Sequence, residues 1–187
     1  MHKEIMIAGF GGQGVLFAGQ VLAYSAMDLG MEVTWIPSYG PEMRGGTANC
    51  TVVIADEEIG SPLVEYPPAA IVLNLPSYDK YEPDMQKGGV LVVNSSMVDR
   101  GAKRDDIITI FVPANEIAEE IGDKKLTNMV TVGALLAFVP EISLEALKSA
   151  LKAHLPVRHH KLLPSNYEAL QRGYNLAKQQ APVASVE

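Results

Sequence analysis

The spacing of apolar residues changes several times along the chain, and each change marks a predicted element. Residues 4–9, Glu-Ile-Met-Ile-Ala-Gly, form a short apolar run that ends on glycine, the pattern of a buried strand. Between residues 13 and 29, Val15, Leu16, Ala18, Val21, Leu22, Ala26 and Leu29 recur at helical spacing and share one broad face. Gly30 is placed to close that helix. Glu32-Val33-Thr34-Trp35-Ile36 is rich in strand formers and is expected to stop at Pro37. The opening thus reads as a βαβ unit.

A Gly/Pro/polar loop over residues 38–46 leads to a strand over residues 48–54, and Asp56-Glu57-Glu58-Ile59-Gly60 reads as a turn near a hairpin. Residues 69–74, 89–94 and 107–112 are continuous apolar runs, as in strands covered on both faces of a parallel sheet. Residues 76–87 and 113–121 carry helical patterns, with Pro113 acceptable in a first turn. Three helical segments follow, over residues 128–139, 143–154 and 166–180, with Ser143 and Asn166 as expected N-caps. The expectation is one α/β domain over residues 1–180, with a Rossmann-like, largely parallel sheet, flanking helices and a helical C-terminal region. Residues 181–187 are expected to be a flexible tail.

Composition narrows the function. Hydrophobic residues make up 48% of the chain and charged residues 20%, the balance of a folded globule. A net charge of −7 with scattered Lys and Arg argues against a nucleic-acid ligand. The longest apolar stretch, residues 130–139, is far short of the roughly 20 residues that cross a bilayer. With no secretory signal pattern after Met1, a cytoplasmic protein is expected. The single cysteine, Cys50, excludes an internal disulfide and a cluster held by this chain alone, since iron-sulfur clusters take about four thiolates. Cys50 itself reads as a small core hydrophobe.

Gly9-Phe10-Gly11-Gly12-Gln13-Gly14 satisfies the G-x-G-x-x-G spacing between a strand and a helix. That arrangement lets backbone approach an anion at a helix N-terminus, or serves as a tight β–α turn without a ligand. Dinucleotide binding further requires an acidic residue at the end of the second strand, to hold a ribose hydroxyl. That strand ends Trp35-Ile36-Pro37-Ser38, and Glu32 lies at its wrong end, so a NAD-dependent dehydrogenase is disfavoured. His159-His160, between Arg158 and Lys161, reads as a solvated turn and not as a metal site. No G-x-S-x-G elbow is present to support independent hydrolysis.

Two segments, Gly9 through Gly14 with Val15, and Tyr39-Gly40-Pro41-Glu42-Met43-Arg44-Gly45-Gly46-Thr47, together resemble the signature segments of the gamma subunit of 2-oxoacid:ferredoxin oxidoreductases. Asn128-Met129-Val130 with Gly133-Ala134-Leu135 is similar to that family's third block, and Asn166-Tyr167-Glu168-Ala169 with Gly173-Tyr174 to its C-terminal helix. The resemblance implies a subunit without a catalytic set of its own. It would assemble with alpha and beta, and in some cases delta, subunits into an enzyme that decarboxylates a 2-oxoacid, 2-oxoglutarate or pyruvate foremost, to an acyl-CoA with ferredoxin as acceptor. Thiamine diphosphate, magnesium and iron-sulfur clusters would sit on partner chains, with coenzyme A as co-substrate.

The expected cofactor-binding or interface residues are Gly9, Gly11, Gly12, Gln13, Gly14, Gly40, Pro41, Glu42, Arg44, Gly45, Gly46 and Asn128. Arg44, flanked by glycines, could reach an anionic group in a bidentate way or pair with Glu42 on a solvated loop. An isolated chain would dimerise through its exposed glycine-rich face. The competing reading is a free-standing nucleotide- or anion-binding regulatory module that uses the Gly9 to Gly14 loop.

Overall fold

A computed structural model describes residues 1–39 and 46–180. Six strands form one sheet: β1 (His2–Phe10), β2 (Glu32–Tyr39), β3 (Thr47–Ala55), β4 (Ala69–Val72), β5 (Val90–Asn94) and β6 (Ile108–Val112), in the order β2-β3-β1-β4-β5-β6. β1, β4, β5 and β6 pair in parallel, while β3 runs antiparallel to both β1 and β2. The helices are α1 (Val15–Asp28), α2 (Leu75–Tyr81), α3 (Ala114–Ile121), α4 (Thr127–Leu136), α5 (Leu144–His154) and α6 (Leu163–Gln180). The α/β class and the mostly parallel sheet expected from the apolar runs are therefore present.

Alternation along the strands divides the core. Ile5 and Ile7 of β1 pack with Ile71, Val92 and Ile110 under α1, α3, α4, α5 and α6, whereas Met6 and Ala8 face Tyr78, Tyr81 and Met85 from α2 and its exit. Each such aliphatic side chain, fully buried, contributes about 1.5–3 kcal/mol of transfer free energy. Every residue of α4 is buried, the condition of a helix enclosed on all sides. It meets α6 backbone to backbone: a methyl group at Gly133 would lie 2.0 Å from the Leu170 carbonyl oxygen, and one at Gly173 would lie 1.9 Å from that of Val130.

Four local expectations are corrected. β2 does not pair with β1, because β3 is inserted between them, so the opening βαβ unit spans a gap filled by an antiparallel strand. β2 also continues through Pro37 to Tyr39; it is an edge strand, where a missing N–H is tolerated. The hairpin joins β2 to β3, and residues 56–60 form no hairpin turn but start the passage to β4 on the other side of β1. Asn166 does not cap a helix, since α6 starts at Leu163 and the Asn166 amide donates to the Leu162 carbonyl at 2.7 Å. Ser143 does cap α5, its Oγ accepting from the Ala146 N–H at 3.1 Å.

Two further boundaries differ slightly from expectation. α2 stops at Tyr81, shortly before Pro83, which cannot donate to a helix. Pro113 sits at the N-cap of α3, just before its first turn.

At the far margin of the sheet, the Gln180 side chain pairs with the edge of β6. Its Oε1 accepts from the Phe111 N–H at 3.2 Å and its Nε2 donates to the Phe111 carbonyl at 2.8 Å.

Candidate functional site

β1 hands the chain to α1 on one face of the sheet, while its neighbour β4 hands it to α2 on the other. The carboxyl ends of two such strands splay apart, and that crevice is where open α/β sheets hold ligands. The glycine turn lies at its edge. Gly14 adopts φ 77° at the N-cap of α1 and Gly12 adopts φ 101°, a region that other residues enter only at a cost.

Gln13 fills the crevice. Its Oε1 accepts from the Phe10 N–H at 2.7 Å and from Asn74 Nδ2 at 3.0 Å, and its Nε2 donates to the Leu73 carbonyl at 3.3 Å. Gly9 is glycine for the same reason, since a methyl group there would lie 2.7 Å from Gln13 Oε1. The side-chain oxygen thus takes the N–H of the last residue of β1, and the amide ties the glycine turn to the chain that leaves β4. Glu32, at the opposite end of β2 from the crevice, cannot reach a ribose.

From Gln13 a row of amides continues along the carboxyl ends of the strands. Asn74 Oδ1 caps α2 through the Ser77 N–H at 2.9 Å. Asn94 donates to the Leu73 carbonyl at 3.2 Å and to Asn115 Oδ1 at 3.1 Å, and Thr127 donates to the same Asn115 oxygen at 3.2 Å. Asn74 and Asn94 are buried, and buried polar groups of this kind are stable only when bonded.

Three distant segments meet at the turn. The Gly11 N–H donates to the Gly46 carbonyl at 2.9 Å, joining the two glycine-rich segments. Asn128, buried at the start of α4, donates from Nδ2 to the Gly14 carbonyl at 3.1 Å. Of the expected site residues, Gly9, Gly11, Gly12, Gln13, Gly14, Gly46 and Asn128 are therefore brought together. Gly40, Pro41, Glu42, Arg44 and Gly45 lie outside the described residues.

Two hollows open beside the turn. One of about 390 Å³ is lined by Gly12, Gln13, Asn115, Glu119, Lys124, Lys125 and Thr127. A larger, mainly apolar cleft of about 680 Å³ runs between α1 and α5, with Phe17, Val21, Tyr24, Leu151 and Leu155 among its walls. Gly12 and Lys125 border both. Lys124 pairs with Glu119 at 2.9 Å. In the cleft wall, the Tyr24 and His154 rings stack with centroids 4.2 Å apart and planes 4° apart, and the imidazole contacts Asp28 at 2.9 Å.

The remaining candidates behave as structural groups. Cys50 is fully buried against Gly19 and Trp35, and that burial pushes its thiol up to about 12. His159 and His160 lie in a 3-10 turn, Val157–Leu162, and do not converge: His160 contacts the Leu155 carbonyl at 2.9 Å, while His159 accepts from Arg158 at 3.1 Å. Sequence reasoning missed the amide row. Its visible signal was that two of the apolar runs, ending Leu73-Asn74 and Val93-Asn94, both finish in asparagine.

Residues 4–176 match the family described as pyruvate ferredoxin/flavodoxin oxidoreductase. Ketoisovalerate oxidoreductase subunit VorA of Methanothermobacter marburgensis is 36% identical over 176 residues, covering 94% of this chain. The chain spans only 36% of that relative's length. The 2-oxoglutarate synthase subunit KorC of Methanocaldococcus jannaschii is 36% identical over 182 residues, 96% of each chain. Among solved structures, the gamma subunit of keto/oxoacid ferredoxin oxidoreductase from Geobacter sulfurreducens PCA superposes with a TM-score of 0.80 at 30% identity, covering 95% of this chain and 99% of that one. These relatives are subunits of 2-oxoacid oxidoreductases, which lends the free-standing regulatory module no support.

Proposed function

The chain belongs to the pyruvate ferredoxin/flavodoxin oxidoreductase family, and from that premise we propose that it is the gamma subunit of a 2-oxoacid:ferredoxin oxidoreductase. The complex oxidatively decarboxylates a 2-oxoacid to an acyl-CoA and passes the electrons to ferredoxin, in the cytoplasm. The foremost substrate in this reading is 2-oxoglutarate, with pyruvate next; the likeness to the KorC subunit supports the first.

The observation that carries the reading is the closed crevice. The Gln13 side chain is committed to Phe10, Leu73 and Asn74 and ties the glycine turn to the strand ends, so the exposed rim of the turn is left for contact with other chains. Thiamine diphosphate, magnesium and iron-sulfur clusters reside on alpha, beta and, where present, delta subunits. The one cysteine here is buried and cannot supply a cluster's thiolates. This chain's part is to present the joined Gly11 and Gly46 segments, with Lys125 beside them, to the thiamine-bearing subunits. Arg44 and Lys125 supply cationic groups against the phosphates of coenzyme A.

An affinity-tagged chain, purified without oxygen from its native host, tests the proposal. Two or three co-purifying chains with thiamine, iron and sulfide, and oxoacid-dependent reduction of a viologen dye, are expected. A solitary homo-oligomer free of both cofactors would overturn it. Arg44→Ala is expected to weaken assembly or raise the KM for coenzyme A; unchanged values of both would remove Arg44 from the contact surface.

A further inference from the structure

The chain carries a net charge of −7, yet residues 146–167 contain no Asp or Glu while holding four of its fifteen Lys and Arg and three of its four His. That stretch is the second half of α5, the Val157–Leu162 turn and the start of α6. Lys148 is occupied by Glu145 at 2.8 Å and His154 by Asp28. Lys152, Arg158 and Lys161 are exposed, and among the described residues no carboxylate pairs with any of them. Arg100 and Lys103, by contrast, share Asp79.

Apolar surface accompanies this charge. Val157 is 81% exposed and Leu162 is 38% exposed. A single exposed apolar side chain means little. Here, however, Leu155, Pro156 and Leu162 form one rim of the 680 Å³ cleft, whose opposite wall is Phe17, Val21 and Tyr24 of α1. The stacked Tyr24 and His154 rings, held by Asp28, fix the spacing of the two walls. The acids nearest the cleft are engaged: Asp28 with His154, and Asp123 with the Lys125 N–H at 3.0 Å. An apolar slot of fixed width beside unanswered cations is the arrangement of an interface anchor pocket with a charged rim.

We propose that this surface docks an acidic segment of a partner subunit, which inserts an apolar side chain into the cleft between α1 and α5 while its carboxylates meet Lys152, Arg158 and Lys161. The inference rests on the gamma-subunit reading and extends it to the α5–α6 side of the molecule. The complementary charge sets partner choice and encounter rate, and the anchor sets residence time.

The test uses the complex isolated from the native host through a tag on this chain. Two variants are compared with wild type: the triple Lys152→Glu/Arg158→Glu/Lys161→Glu, and Val157→Asp. All substituted positions are exposed, so unchanged circular dichroism and thermal midpoints are expected. Wild-type retention of partner chains should fall as salt rises. The triple variant should lose about tenfold in retention at low salt, and Val157→Asp should shed partners at every salt concentration.

Retention of partners by both variants with the wild-type salt dependence would overturn the docking face while leaving the subunit reading intact. Absence of partner chains from the wild-type eluate would overturn both. Loss of a second copy of this chain, or of bound nucleic acid, in place of loss of a partner subunit would also overturn the proposal.

Discussion

Asn128 donates its side-chain amide to the carbonyl of Gly14 across 114 residues of chain, and a methyl group on Gly14 would lie 2.4 Å from that same amide nitrogen. The contact fixes α4 against the start of α1 and holds the glycine turn in place. Gly14→Ala combines this clash with a left-handed backbone, so it should cost about 2–4 kcal/mol, a fall in Tm on the order of 10 °C. In an Asn128→Ala background the clash is gone, and the same substitution should cost only the backbone part, about 1–2 kcal/mol. Thermal melts of the four chains complete the cycle; additive costs would show that the two residues do not meet as described.

Gln13 bonds Phe10, Leu73 and Asn74. Gln13→Ala should lower stability by about 1–3 kcal/mol, because it orphans buried groups. Gln13→Glu should do no better than Ala: it keeps the acceptor but loses the donor to Leu73 and buries a charge. Neither NAD nor ADP should bind the wild-type chain at millimolar concentration, as read by calorimetry. Nucleotide binding with Gln13 intact would contradict the closed crevice.

At Gly173, an added methyl group would stand 1.9 Å from the Val130 carbonyl oxygen. No side chain can move aside to relieve a backbone contact. Gly173→Ala should therefore force α6 off α4 and cost more than about 4 kcal/mol, seen as loss of a cooperative melt or as insoluble expression. Gly60→Ala, with open space around its Cβ position, is the control and should change Tm little.

Burial raises the Cys50 thiol to about 12, so almost no thiolate exists at pH 8 and the sulfur is shielded from reagents. An aromatic disulfide reagent should leave the native chain unmodified and titrate one thiol per chain in denaturant. Rapid modification without denaturant would place Cys50 outside the core.

Arg104 grips Asp106 with two hydrogen bonds of 2.7 Å, and these hold the Asp106 carboxyl below its ordinary range. A lowered carboxylate pKa stabilises the fold above the unfolded value, near 3.9, and that stabilisation is lost as the pH falls through the folded value. Asp106→Asn should accordingly melt below wild type at pH 7, with the gap closing below about pH 4. A gap independent of pH would mean that the pair contributes nothing through ionisation.

Much of the fold was written in local pattern, and the misses share a cause. The runs ending in Asn74 and Asn94 declare themselves as buried parallel strands because both faces of β4 and β5 are covered, while the run ending in Val112 is parallel but a half-buried edge strand. The insertion of β3 between β1 and β2 was invisible, since pairing order depends on which edge captures a strand and not on the strand's own residues. Pro37 misled for the same reason: only its place at the sheet margin makes its missing donor harmless. The glycine spacing located the turn, and the resemblance pointed to Asn128. That Gln13 closes the crevice depends on Leu73 and Asn74, sixty and sixty-one residues away, and no local motif records such a partnership.

Both margins of the sheet are finished. At one, Pro37 interrupts the ladder that a foreign strand would need; at the other, Gln180 already occupies the donor and acceptor of Phe111. An open sheet margin can recruit further copies of the same chain, strand upon strand, into fibres. These two side chains bar that route at opposite ends of the molecule and leave association to its loops and helices.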